Sequence, residues 1–158
     1  MKKSALLLSL LLPFAACGKK NEASDSREGS GAASVPEKPP VAGELVLTAE
    51  LAEIPGAFPA NDLYNYAYVM KYKVVKVLQG SYGESEILVG HYNPRLARDE
   101  IKDEQDAQVG GNLKSFQVGD MHYLVLSPLD GLWTGAVEDD YFKEKRTRYW
   151  GLWADKAK

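Results

Sequence analysis

The sequence predicts one mainly β domain of about 115 residues, enough for a modest core, behind a polar segment. Three observations carry this. Residues 66–93 read as two long strands joined by a Gly-containing turn. Shorter apolar runs recur at 44–51, 121–126 and 148–154, separated by Gly, Pro, Asn and Asp. Only residues 95–107 have helical composition, so one short helix is expected among the strands.

The long hairpin sets the plan. Tyr66, Tyr68, Met70, Tyr72 and Val74 are spaced by two and share one strand face. Lys71 and Lys73 fall on the other. The phase then slips, because Val74 and Val75 are adjacent and Val75 and Val77 alternate with Lys76. A slip inside one strand marks a bulge or a sharp coil. A strand of roughly 13 residues spans about 43 Å, too long for a flat small sheet. It is expected to curve, to serve two halves of the sheet, and to bury both Val74 and Val75. Gln79, Gly80, Ser81, Tyr82, Gly83 and Glu84 supply the turn. Ile87, Leu88 and Val89 return to Gly90.

The other elements follow in order. Residues 44–51 form the first strand. Pro55 and Pro59 keep 54–62 a loop. Asn93 suits a helix cap and Pro94 the first helical position, so a helix is expected over 95–107, with Leu96, Ala97 and Ile101 as its apolar face. Gly110 and Gly111 end it. Residues 116–120 form a turn, 121–126 the fourth strand, 127–135 a loop, and 148–154 the closing strand. Strand, long curved strand, strand, helix, strand, strand is the order of a five-stranded OB-like Greek-key barrel.

The first 16 residues have a different character. Lys2 and Lys3 precede an apolar run at 5–12 that is too short to span a bilayer. Small residues follow, ending at Cys17, the single cysteine. This stretch resembles the bacterial lipoprotein family, with Phe14 in place of the usual Leu. The resemblance implies a signal peptide over 1–16, cleavage before Cys17 and lipid attachment to it. Gly18 rather than Asp after the cysteine leans toward the outer membrane, facing periplasm or surface, over the inner one. Residues 17–43 are rich in Ser, Gly, Pro, Glu and Lys and read as a disordered tether. The domain is therefore 44–158.

The centre of the domain resembles netrin-like and metalloproteinase-inhibitor-like domains. Tyr72, Val74, Val77 and Gly80 match a Tyr-x-Val-x-x-Val-x-x-Gly pattern. Residues 116–125 match Phe-x-x-Gly-x-x-Tyr-Leu-Val with one extra residue before Tyr123. The resemblance implies a β-barrel. It does not imply protease inhibition, because the disulfides and the zinc-chelating N-terminal cysteine of that family are absent.

Lys and Arg number 19 against 22 Asp and Glu, a net charge of −3, and loss of Lys2 and Lys3 makes it more negative. That excludes the basic face of a general nucleic-acid binder. The string Gly90-His91-Tyr92-Asn93-Pro94-Arg95 lies where a strand hands over to the expected helix. His91 can bond or bind metal, and Arg95 and Arg98 can clamp an anion. Equally, Asn93 can be a cap and His91 a satisfied structural residue. His122, the only other histidine, starts a buried strand. Trp133 is a candidate aromatic contact, as are Tyr141, Tyr149, Trp150 and Trp153 where they are exposed beside Arg146 and Arg148. Asp99, Glu100, Asp103, Glu104 and Asp106 lack a calcium-loop pattern. Ser127, followed by Pro128, has no nucleophile elbow.

The expected function is a non-catalytic binding or scaffold module in the cell envelope. It has no cofactor, is anchored through lipid on Cys17, is monomeric, and engages an envelope protein or polysaccharide through His91, Asn93, Arg95, Arg98, His122 and Trp133. The alternative is a small metal-binding or hydrolytic enzyme using His91 and His122.

Overall fold

The computed structural model describes residues 42–60, 63–105 and 107–157. The expected signal peptide, Cys17 and the tether up to residue 41 lie outside the described residues. The domain is mainly β, with almost no helix. Six strands form one mixed sheet: β1 (Leu45–Glu53), β2 (Tyr66–Gln79), β3 (Glu86–Tyr92), β4 (Met121–Pro128), β5 (Ala136–Glu138) and β6 (Arg148–Lys156). Their order is β1-β4-β6-β3-β2-β5, and β1 also pairs with β2. The β3–β6 and β2–β5 pairs are parallel, whereas β1–β2, β2–β3, β1–β4 and β4–β6 are antiparallel.

The alternation expected of β2 builds the core. Tyr66, Tyr68, Met70 and Tyr72 face Leu45, Leu47, Ala49 and Leu51 of β1, Ile87 and Val89 of β3, and Leu124 and Leu126 of β4. The opposite face of the sheet carries two smaller clusters. Val46, Tyr123 and Val125 form one, and Val69, Leu88 and Phe142 the other. A further cluster joins Ala67, Tyr92, Ile101, Val109, Leu129, Trp150 and Leu152. Gly80 closes the β2–β3 turn at φ 83°, where a side chain would also strike the Glu44 carbonyl.

β2 serves two neighbours along its length, as its length requires. Residues 67–73 pair with β3, and residues 71–79 pair with β1. The β1–β2 ladder steps from Thr48 opposite Lys76 to Ala49 opposite Val74, which leaves Val75 as an extra residue. A second step leaves Leu78 extra. The slip is therefore real, but its consequence for Val75 is the reverse of the expectation. Only Val74 packs on the core, with Val77 continuing the inner row. Val75 is 61% exposed, because the extra residue of a bulge is the one turned out of the ladder.

Two further expectations are corrected. Among the described residues of 95–107 there is no α-helix, and the regular element there is one 3-10 turn, Arg98–Glu100. Asn93 adopts φ 33°, and its side chain bonds to the Tyr66 amide and to Asn65, so it does not cap a helix. Ala97 and Ile101 on either side of the turn have extended ψ of 143° and 119°. The sheet also has a sixth strand. β5 arises inside the acidic segment and pairs parallel with Tyr66, Ala67 and Tyr68.

Val74→Ala is expected to destabilise the domain by about 1 kcal/mol, as loss of partly buried methyl groups does. Val75→Ala is expected to cost less than about 0.5 kcal/mol, as at an ordinary surface site. Urea melts of the two variants check this, and equal losses would contradict the outward bulge.

Candidate binding site

The two histidines come together in the core, through a tyrosine that the sequence reading did not count as a site residue. β3 runs on to Tyr92, so Ile87, Val89 and His91 form one inward row. His122, Leu124 and Leu126 form the matching row of β4. The Tyr72 hydroxyl lies 3.0 Å from His91 Nε2 and 3.2 Å from His122 Nδ1. A phenol has one hydrogen, so it donates to one imidazole and accepts N–H from the other. Either assignment leaves one N–H and one lone pair over, at His91 Nδ1 and His122 Nε2, neither of which has a partner among the described residues. Phe116 closes the group, 4.5 Å from the His91 ring centre. Gly151 lies on the other side, where a Cβ would sit 2.7 Å from His91 Nδ1.

Burial fixes the charge state of this group. Tyr72, His91 and His122 are fully buried. Burial holds the Tyr72 phenol well above its ordinary range, against the opposing effect of Arg98. Burial pushes the His91 imidazole well down, and the charges of Arg98 and His122 push it the same way. Burial also lowers His122, to about 4, with Asp120 opposing and Lys156 assisting. The result is a neutral, sealed hydrogen-bonded trio.

Arg98 joins this core to the surface. It is 3% exposed, and its guanidinium lies 5.3 Å from the Phe116 ring centre. Nη2 donates to the carbonyls of Asn93 (2.9 Å) and Leu96 (2.8 Å). Nε and Nη1 have no partner among the described residues. Burial lowers Arg98 to about 10, which still leaves it charged at neutral pH. Its clear structural task is to hold the 93–96 turn. Asn93 Oδ1 accepts from the Tyr66 amide (3.1 Å), and Asn93 Nδ2 donates to Asn65 Oδ1 (2.8 Å), tying the turn to the start of β2.

Outside that turn is an open pocket of about 530 Å³, lined by Leu63, Tyr64, Asn65, Tyr66, Asn93, Arg95 and Leu96. Of the residues expected to form a site, Asn93 and Arg95 line it and Arg98 supports it from behind. His91 and His122 do not reach it. Trp133 is elsewhere, stacked on Trp150 at 5.1 Å with its Nε1 donating to the Ala136 carbonyl.

The remaining sequence candidates have structural roles. Ser127 Oγ accepts from the Glu44 amide at 3.3 Å, and the five-residue offset from His122 puts the two on opposite faces of β4. Arg146 pairs with Glu84, and Arg148 with Asp139 and three carbonyls. Among the described residues no group of three or more His, Cys, Asp or Glu side chains could hold a metal ion. The sequence signal for Tyr72 was its place in the inner row of β2. Leu63, Tyr64 and Asn65 gave no signal, because they follow a proline-containing loop without periodicity.

The buried imidazoles make stability depend on pH. Unfolded histidines titrate near about 6.5, whereas both folded ones are depressed. Between pH 6.5 and 4 the unfolded chain binds more protons. Stability is therefore full above that window and falls as pH falls through it. His122→Asn removes one such group, and is expected to flatten the slope by up to about 1.4 kcal/mol per pH unit. Urea melts at several pH values check this, and an unchanged slope would show that His122 does not titrate on unfolding.

Comparison with protein-family models, curated proteins and solved structures found no match to this chain.

Proposed function

We propose that the chain is an envelope lipoprotein, anchored by lipid on Cys17 and carried by the 17–43 tether, whose domain is a non-catalytic binding module. The observation that carries the binding reading is the contrast between the two candidate sites. The His91–Tyr72–His122 trio is sealed, so a substrate atom has no route to it. The Asn93–Arg95 pocket is open, within the range of about 300–1,000 Å³ usual for ligand sites. It is also built on a turn that buried groups hold in place. The partner class is an envelope protein or polysaccharide rather than nucleic acid.

We read the sheet as an OB-like, partly open Greek-key barrel. Support comes from the double pairing of β1 with β2 and β4, and from β3 lying parallel to β6. The netrin-like and metalloproteinase-inhibitor-like patterns fall on β2 and on the turn into β4. In such a fold, loops at the strand ends carry binding while the strands hold them rigid. The 93–96 turn is of that kind.

Cys17→Ser is expected to abolish lipid attachment and move the protein to the soluble fraction, or to stop its processing. Fractionation with lipid labelling reads this, and normal processing with full membrane retention would remove the anchor from the proposal. The pocket is tested separately by crosslinking in intact envelopes. Leu96→Glu is expected to deplete the crosslinked partners of the wild-type chain, and an identical set of partners would argue against binding at this pocket.

A further inference from the structure

We infer that the Arg95 pocket takes a ligand whose apolar body ends in a single carboxylate. This rests on the pocket being the binding site proposed above. The argument is an account of which polar groups remain uncommitted. The Tyr66 amide donates to Asn93 Oδ1, Asn93 Nδ2 to Asn65 Oδ1, and Asn65 Nδ2 to Glu104 Oε1 at 3.2 Å. The Tyr64 hydroxyl donates to Glu138 Oε1 at 3.3 Å, and the Tyr66 hydroxyl to the Pro59 carbonyl at 3.2 Å. The hydroxyl hydrogens and the linked amides of the pocket wall are thus already engaged within the protein.

Arg95 is different. It is an exposed, charged lining residue, and no ion pair or hydrogen bond from it to another described residue is present. Its guanidinium offers five N–H donors in a planar fork that matches a carboxylate with two parallel bonds. Its charge is felt at the Tyr66 hydroxyl, where it opposes the upward shift caused by burial.

The rest of the lining selects for apolar bulk. Leu63, Tyr64 and Leu96 are 93%, 51% and 39% exposed. A neutral sugar needs several donors and acceptors at once, and this wall has few left to offer. The anion count is limited too. Among the described lining residues Arg95 is the one cation, so the lining matches a single carboxylate. Such a ligand is either a small free acid or the C-terminal residue of a polypeptide, since the two share this chemistry.

The test is titration of the isotope-labelled full chain, following the amide resonances of residues 63–66, 93, 95 and 96. The probes are 3-phenylpropionate, its neutral amide, glucuronate and the dipeptide N-acetyl-alanyl-phenylalanine. The expected result is that 3-phenylpropionate or the dipeptide shifts these resonances, with the amide and glucuronate at least about tenfold weaker. Arg95→Ala should weaken the acid by about tenfold or more, as loss of a charged hydrogen bond does, and Arg95→Lys should restore part of it. Tighter binding of the dipeptide would place the ligand at a chain end, and tighter binding of the free acid would make it a small molecule; both support the assignment. Equal binding of the acid and its amide, equal binding of glucuronate, or an unchanged Arg95→Ala would overturn the ligand class while leaving the pocket a binding site. No shift at these residues with any probe would overturn the ligand class, and the pocket reading then stands or falls on the Leu96→Glu crosslinking.

Discussion

The constraint on which the rest depends is that β2 exchanges one neighbour for another along its length, with β1 and β3 overlapping on it only at one short stretch. At Lys71, Tyr72 and Lys73, β2 has β1 on one side and β3 on the other. Before that point it pairs with β3 and β5, and after it with β1 alone. A strand with strict two-residue alternation could not turn this far and keep one row of side chains inward. Dropping Val75 and Leu78 out of the ladder lets it do so, because each extra residue adds bend and twist without losing the inner row. The charges agree with this geometry. Lys73 lies opposite Glu50 on one neighbour and Glu86 on the other, and Lys71 reaches Glu144 at 2.6 Å. Opposite charges across strands favour this register, and a one-residue slip would disrupt them.

Tyr72 stands at that point, which explains why its hydroxyl can be shared by two histidines. A ring fixed by pairing on both edges of its strand presents its oxygen at one place, and His91 and His122 come to it from the inner rows of two other strands. A buried polar group inside an apolar core stabilises only where its partners are met, and here one N–H and one lone pair have no partner among the described residues. The trio therefore specifies the packing of β2, β3 and β4 more than it adds stability. Phe116 and Gly151 complete the specification by leaving the imidazole of His91 one position to occupy.

Much of this was legible from alternation alone. The inner row of β2, its double service and the slip at Val74–Val75 all follow from a period of two, because a half-buried strand writes its faces into the sequence. The direction of Val75 was not legible. The pattern shows that the phase changes, but not which residue the ladder leaves out. The helix over 95–107 was misread for a related reason. Asn93 and Pro94 have the composition of a helix start, but Asn93 is engaged with Tyr66 and Asn65, nearly 30 residues back in the chain, and a local pattern does not contain that bond. The inward turn of His91 was within reach, since it continues the row of Ile87 and Val89. Ending β3 at Gly90 concealed it.

The same long-range bonds explain why core and pocket form one construction. Arg98 is buried with no carboxylate partner among the described residues, an arrangement that costs desolvation unless the charge finds other partners. It finds the Phe116 face and two carbonyls of the 93–96 turn. Phe116 in turn packs on His91 and His122. A displacement of the imidazoles would therefore reach the turn through Phe116 and Arg98, and from there the residues that line the pocket. The open site is shaped from within: its outer wall is surface loop, but the groups that set the position of that loop are among the most buried polar side chains of the domain.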